Sequence, residues 1–207
     1  GLIPSLMSAI LASSTNVEVF NSQFLQRASS RENVAIVTKP VADLADFTKQ
    51  LSQKLDEYAA VAAQRSSEED ASGTSCKGPP RPPKCGSICE LRNSQSIDAA
   101  DQAKKARALN NEAMSLQANA VGISTQADLN SLFLKANELT TSPTISGIQA
   151  WATSEERGFS AGFPYKGKLL QCSDPEAMDM VTEIKKLAMT PIDVPSSPPL
   201  VTQQGVG

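Results

Sequence analysis

Apolar residues recur at alternating spacings of three and four between residues 40 and 65, which predicts a long amphipathic helix. Pro40 suits the first turn of a helix, and Asp43 and Asp46 complement the helix dipole near that end. We expect the helix to be one member of an antiparallel bundle, with an intermolecular coiled coil as the alternative. Its seam consists of Val41, Leu44, Thr48, Leu51, Leu55, Tyr58 and Ala62.

A second long helix is predicted over residues 97–121, with Ser96 as its N-cap and Gly122 as its stop. Alanine dominates the face that would point inward, and small side chains let two helices approach closely. That face consists of Ile97, Ala100, Ala103, Ala106, Leu109, Ala113, Leu116 and Ala120.

Two shorter helices follow. One is predicted over 126–140, because Thr125 and Asp128 have the spacing of a capping box. The other is predicted over 175–189, where Asp174 is the N-cap and a proline occupies the first position. Their inward residues would be Leu129, Leu132, Phe133, Ala136 and Leu139 in the first, and Ala177, Val181, Ile184 and Leu187 or Ala188 in the second.

The N-terminal segment 1–39 is predicted to be an arm with short helices at 5–12 and 17–28. Residues 34–37 form a brief β-branched run that fits a strand or an extended connector. The chain begins with Gly1 in place of methionine, which fits the removal of a secretory leader or a trimmed start.

Proline and glycine break the periodicity elsewhere, because proline cannot continue a helix. Residues 40–189 are predicted to form the helical domain, with an insertion at 66–95 and an irregular aromatic loop at 141–172. The segment 190–207 is predicted to be a Pro-rich, flexible tail. The expected fold class is mainly α: a long antiparallel helix bundle with an irregular, Pro/Gly-rich, disulfide-held insertion and extended termini.

Four cysteines are present, three of them within the Pro/Gly-rich segment: Cys76, Cys85, Cys89 and Cys172. An even number of clustered cysteines predicts two disulfides and hence an oxidising compartment, although the sequence does not choose among the three pairings. A four-cysteine zinc site is the weaker alternative, because the spacings do not match the short pairs of zinc sites. We therefore predict disulfides and no metal.

The chain contains no histidine, which removes the commonest general base and the commonest metal ligand. We therefore expect no enzyme activity and no cofactor, and we expect Glu155 and Glu156 to be solvated surface residues. The net charge of −3 offers no reason to expect nucleic acid. No apolar run approaches the roughly 18–20 residues of a membrane span, so no transmembrane segment is predicted.

Four aromatic residues lie in the glycine-containing stretch between residues 151 and 168: Trp151, Phe159, Phe163 and Tyr165. They could face a partner, because exposed loop aromatics serve recognition. Alternatively, they fold down as a lid over a core that is otherwise poor in aromatic side chains. They are our candidate partner-binding residues.

These features favour a non-enzymatic, exported protein of the periplasm or cell surface. It would be a structural, assembly or adhesive component of a surface appendage, a secretion apparatus or a similar large complex. At the level of architecture it resembles minor pilins and the tip or assembly proteins of bacterial secretion systems, a likeness that assigns no residue a role. Its partners would be other protein subunits, or further copies of itself. The alternatives are a processed virion structural protein and a small-ligand carrier with a pocket between helices.

Overall fold

The computed structural model is mainly helical, as the sequence predicted. It describes residues 13–71, 85–190 and 192–194, and it places side chains over 34–68, 91–190 and 192–194. These residues form five helices and a two-stranded sheet: α1 (Ser13–Ala71), α2 (Cys85–Ala120), α3 (Gln126–Thr140), α4 (Pro143–Ala161), β1 (Phe163–Tyr165), β2 (Lys168–Leu170) and α5 (Pro175–Ala188).

The chain divides into two compact units, and α1 and α2 each contribute residues to both. Of the described residues, the first unit contains 13–45, 111–141 and 192–194. The second contains 46–71, 85–110 and 142–190. Within the second unit, α4 packs against both α5 and β1.

Helix α1 continues through Pro40, so the prediction that a helix begins there is wrong. The predicted helix at 17–28 and the run at 34–37 are both parts of α1, while 5–12 lies outside the described residues. A proline inside a helix removes a backbone hydrogen bond and costs ~3 kcal/mol. The apolar side chains of Val37 and Val41, both buried, offset that cost on either side of Pro40. The predicted seam from Val41 to Ala62 is confirmed, because all seven of its residues are buried.

The predicted irregular insertion at 66–95 is wrong at both of its ends. Helix α1 continues to Ala71, and α2 already begins at Cys85. The helix continues after Arg65 with Ser67 and Glu68 exposed. Gln64 Nε2 donates to Glu68 Oε1 at 3.0 Å. Such pairs four residues apart stabilise a helix that has no apolar periodicity.

The predicted inward face of α2 is confirmed from Ala103 onward. The prediction is wrong for the two residues before Ala103. Ile97 is 61% exposed and Ala100 is exposed, whereas Ala99 is fully buried. Ser96 is not an N-cap but lies inside the helix. The predicted end of α2 is confirmed, since the helix stops at Ala120 and Gly122 has a positive φ of 89°.

Both of the shorter predicted helices are confirmed with their caps. Thr125 Oγ1 accepts a hydrogen bond from the backbone N–H of Asp128 at 3.1 Å. Helix α3 begins directly after Thr125, at Gln126. Asp174 accepts from the backbone N–H of Ala177 at 3.1 Å and caps α5. The buried residues of these helices are Leu129, Leu132, Phe133 and Ala136 in α3, and Ala177, Val181, Ile184 and Ala188 in α5.

The predicted irregular loop at 141–172 is instead helix α4 followed by a short hairpin. Ser142 caps α4 by accepting from the backbone N–H of Thr144 at 3.2 Å, and a proline follows at the first helical position. The hairpin turns at Lys166 and Gly167, whose φ values of 48° and 76° are both positive, as type I′ turns require.

None of the described helices contains an apolar stretch that could cross a bilayer. Of the predicted tail, residues 190 and 192–194 are described, and none of them lies in a helix or strand.

Candidate functional site

The carboxylate of Asp174 joins three helices of the second unit. Its Oδ2 atom accepts from Arg65 Nε of α1 at 3.0 Å and from Arg92 Nη2 of α2 at 2.8 Å. Its Oδ1 atom accepts the capping hydrogen bond from Ala177 at the start of α5. One side chain therefore caps a helix and forms ion pairs with two arginines at once.

The surroundings of Asp174 keep it ionised. Burial acts to raise its pKa, but the Ala177 N–H bond, the Arg65 hydrogen bond and the charge of Arg92 together hold the pKa below the ordinary value. The hydrogen bond to Asp174 in turn raises the pKa of Arg65. Arg65 also donates to Glu176 Oε2 at 2.9 Å, near the surface.

Arg92 is the most deeply buried charged group of this site, with 3% of its surface exposed. Its guanidinium carbon lies 5.4 Å from the centroid of the Phe159 ring, a cation–π contact. Its Nη1 atom donates to Gln95 Oε1 at 3.3 Å, one turn further along α2. Its Nε atom is buried without an acceptor among the described residues.

Glu155 of α4 lies on the other side of Gln95. Its Oε2 atom accepts from Tyr58 Oη at 2.8 Å and from Gln95 Nε2 at 3.0 Å. Burial raises the pKa of Glu155, against the opposing effect of these two hydrogen bonds. Burial, with the charge of Glu155, also raises the pKa of Tyr58, which stays a neutral donor.

These side chains form one connected group, which we call the buried polar cluster: Tyr58, Arg65, Arg92, Gln95, Glu155 and Asp174. It holds two carboxylates and two guanidinium groups within one unit. Asp174 has both of its oxygens engaged by donors, and its charge is compensated by arginine. The arrangement can tie α1, α2, α4 and α5 together and can hold charge inside the unit.

The predicted partner-binding aromatics pack inside the second unit to different degrees. Phe159 and Phe163 are buried edge to face, with ring centroids 4.9 Å apart. Trp151 is half-buried, and its ring centroid lies 5.3 Å from that of Tyr58. Tyr165 is half-buried beside Lys166, at the hairpin. The burial of the two phenylalanines supports the core-covering alternative, and a role in partner binding stays a prediction.

The structure leaves the predicted cysteine pairing as a prediction. Cys172 is buried in the second unit. Cys85 and Cys89 lie on α2 with side chains outside the described set, and Cys76 lies outside the described residues altogether. No disulfide is seen among the described side chains. Within that same set, no group of three or more potential ligands could hold a metal ion.

The prediction that Glu155 is a solvated surface residue is wrong, whereas Glu156 does lie near the surface, paired with Lys185. Glu155 belongs to the buried polar cluster, and Glu156 accepts from Lys185 Nζ at 2.9 Å and from Thr182 Oγ1 at 3.0 Å. These two hydrogen bonds lower the pKa of Glu156. Once 143–161 is known to be a helix, the steps of four, three and four between Ile148, Ala152, Glu155 and Phe159 place Glu155 on the buried face of α4.

A cleft of about 320 Å³ lies in the first unit, and it mixes apolar with charged and amide side chains. None of its lining residues comes from the aromatic stretch between residues 151 and 168. The lining consists of Leu116, Asn119, Val121, Gly122, Ile123, Asp128, Ser131, Leu132 and Lys135.

No protein-family model, curated protein or solved structure shows significant similarity to this chain. The function is therefore argued from the arrangement of its own residues.

Proposed function

We propose that this protein is a non-enzymatic structural component of a larger exported assembly, such as a surface appendage or a secretion apparatus. The buried polar cluster carries the proposal. Its carboxylates are engaged by residues of other helices: Glu155 joins α4 to α1 and α2, and Asp174 joins α5 to the same two helices. Such cross-linking favours a rigid scaffold.

Contacts between α1 and α2 in the second unit support an antiparallel pairing. Arg65 and Arg92 share one carboxylate, as described above. Further along α2, Ser96 Oγ donates to the Ala59 carbonyl at 2.9 Å, and Arg107 Nη1 donates to Asp56 Oδ2 at 2.7 Å. The partners on α1 therefore move backward as those on α2 move forward. Such a progression is what an antiparallel helix bundle requires, and it supports that interpretation.

Large apolar side chains left in solvent support contact with other subunits. They include Met114, Val121 and Leu134 in the first unit, and Ile97 and Leu169 in the second. Val121 is 84% exposed and Leu134 is 62% exposed. A single exposed apolar residue is ordinary on a protein surface. Several such residues on a small chain could be buried in contacts with other subunits.

The assembly is tested by sedimentation of material from the native source. We expect the chain to sediment in a complex much heavier than its own 21.9 kDa. Met114→Glu should weaken that complex, because it places a charge on exposed apolar surface. Ser115→Glu, at the neighbouring exposed position, is the matched control and should leave it intact. Sedimentation of the wild type as a free chain would contradict the proposal.

Export is tested by the mass of the intact protein with and without reductant and alkylation. Two disulfides would lower the mass by four hydrogens and leave no thiol to label without reductant. Four labelled thiols would argue against export and would favour the processed virion structural protein, which assembles in a reducing compartment.

A further inference from the structure

Glu155 is a carboxylate that two neutral donors hold in place. Tyr58 and Gln95 both donate to the same oxygen, Oε2, at 2.8 and 3.0 Å. Among the described residues, no cation lies within ion-pair distance of the Glu155 carboxylate. Asp174 is the contrasting case, since two arginines compensate its charge.

This geometry decides how the cluster responds to a proton. The second oxygen of Glu155, Oε1, can take the proton without displacing either existing hydrogen bond. Protonation then removes a charge that is only partly solvated and that forms no ion pair with a described residue. A neutral carboxylic acid is cheaper to bury than a carboxylate.

The charged groups around Glu155 come from the helices packed against it. On α2, Asp98 disfavours the ionised form and Arg92 favours it. On α1, Tyr58 remains a neutral donor over the relevant pH range. Burial is the largest influence on Glu155, and it raises the pKa of this carboxyl above the ordinary value of 4.5.

We infer that Glu155 is an acid-strengthened latch, which holds α1, α2 and α4 together more tightly in mildly acidic surroundings than at neutral pH. The sign follows from linkage. Because the folded chain binds this proton more tightly than the unfolded chain does, the stabilisation is complete below pH 4.5 and is lost as the pH rises through the folded pKa.

The composition of the chain makes this response measurable. There is no histidine, so no side chain with an ordinary pKa titrates between pH 5 and 7. A change in stability across that interval must therefore come from a perturbed group. The only tryptophan of the chain, Trp151, packs against Tyr58 and offers a local fluorescence readout.

The test is urea unfolding of the full chain at steps from pH 7 down to pH 4.5, the ordinary pKa of a glutamate. For the wild type, we expect the urea midpoint to rise as the pH falls, with a parallel change in Trp151 emission. Glu155→Gln imitates the protonated acid. It should remove the pH dependence of the urea midpoint and of the Trp151 emission. Glu57→Gln changes an exposed glutamate next to Tyr58 in the sequence and should keep the wild-type dependence.

Carbon-13 NMR of the Glu155 carboxyl in the wild type gives a second measurement that needs no variant. A titration midpoint above 4.5 supports the latch. A midpoint at or below that value would overturn it, as would a wild-type urea midpoint that stays flat as the pH falls from 7 to 4.5. An unchanged slope in Glu155→Gln would also overturn it.

Discussion

Arg92 Nη2 donates to Asp174 Oδ2 at 2.8 Å, although the two residues lie 82 positions apart in the chain. Both side chains are almost fully buried, with 3% and 7% of their surfaces exposed. A buried ion pair adds little net stability compared with apolar residues of the same shape, but removing one partner leaves a charge without compensation. The pair therefore makes the contact between α2 and the start of α5 intolerant of change on either side.

Asp174→Asn should destabilise the protein by about 3–5 kcal/mol, the cost of leaving a buried charge unpaired. Asparagine can still cap α5. The loss in the free energy of unfolding therefore reports the missing ion pairs with Arg92 and Arg65, and not a missing cap. The free energy of unfolding in urea checks this. Asp179→Asn, at an exposed position of the same helix, should change it by less than about 0.5 kcal/mol.

Acid should weaken the same contact. Because the folded-state pKa of Asp174 is lowered, its stabilisation is present above the unfolded value of 3.8 and is lost as the pH falls through the folded value. The urea midpoint of the wild type should therefore fall below about pH 4. Asp174→Asn should show a shallower fall, and a fall as steep as that of the wild type would contradict this assignment.

Gly158→Ala should destabilise the protein by about 1–3 kcal/mol, because the new methyl group would overlap the Phe163 ring and overpack the contact between α4 and β1. Gly147→Ala is the matched control on the same helix. A Cβ atom there meets no other atom within 4 Å. It should stabilise the helix by about 0.5–1 kcal/mol, since alanine suits a helix interior better than glycine. Thermal unfolding of the two variants should shift in opposite directions.

Pro40→Ala should stabilise the protein by up to about 3 kcal/mol, since it restores a backbone donor in the interior of α1. Pro143→Ala should be close to neutral, because Pro143 lies at the start of α4 where no helical bond is lost. Thermal unfolding midpoints check both. If Pro40→Ala lowered the midpoint, the shape that Pro40 gives to α1 would be needed for packing.

Local chemistry made several helix ends predictable. Thr125 and Asp174 satisfy backbone donors of the residues that directly follow them, and Gly122 adopts a conformation that glycine favours, so all three act within a few residues. Predictions failed where packing between distant segments overrode the local preference of a residue. Pro40 is a poor helix residue on its own, yet the buried side chains around it keep α1 continuous.

The sequence determined by itself that the chain is mainly helical, where α3 and α5 lie, and that α1 buries the seam from Val41 to Ala62. These features depend on periodicity and on contacts within one turn. Only the tertiary structure decided that Arg92 and Asp174 lie inside, and that Tyr58 and Gln95 are the partners of Glu155. A charged residue is buried only when its partner arrives from a distant segment, and no local pattern records which segment that is.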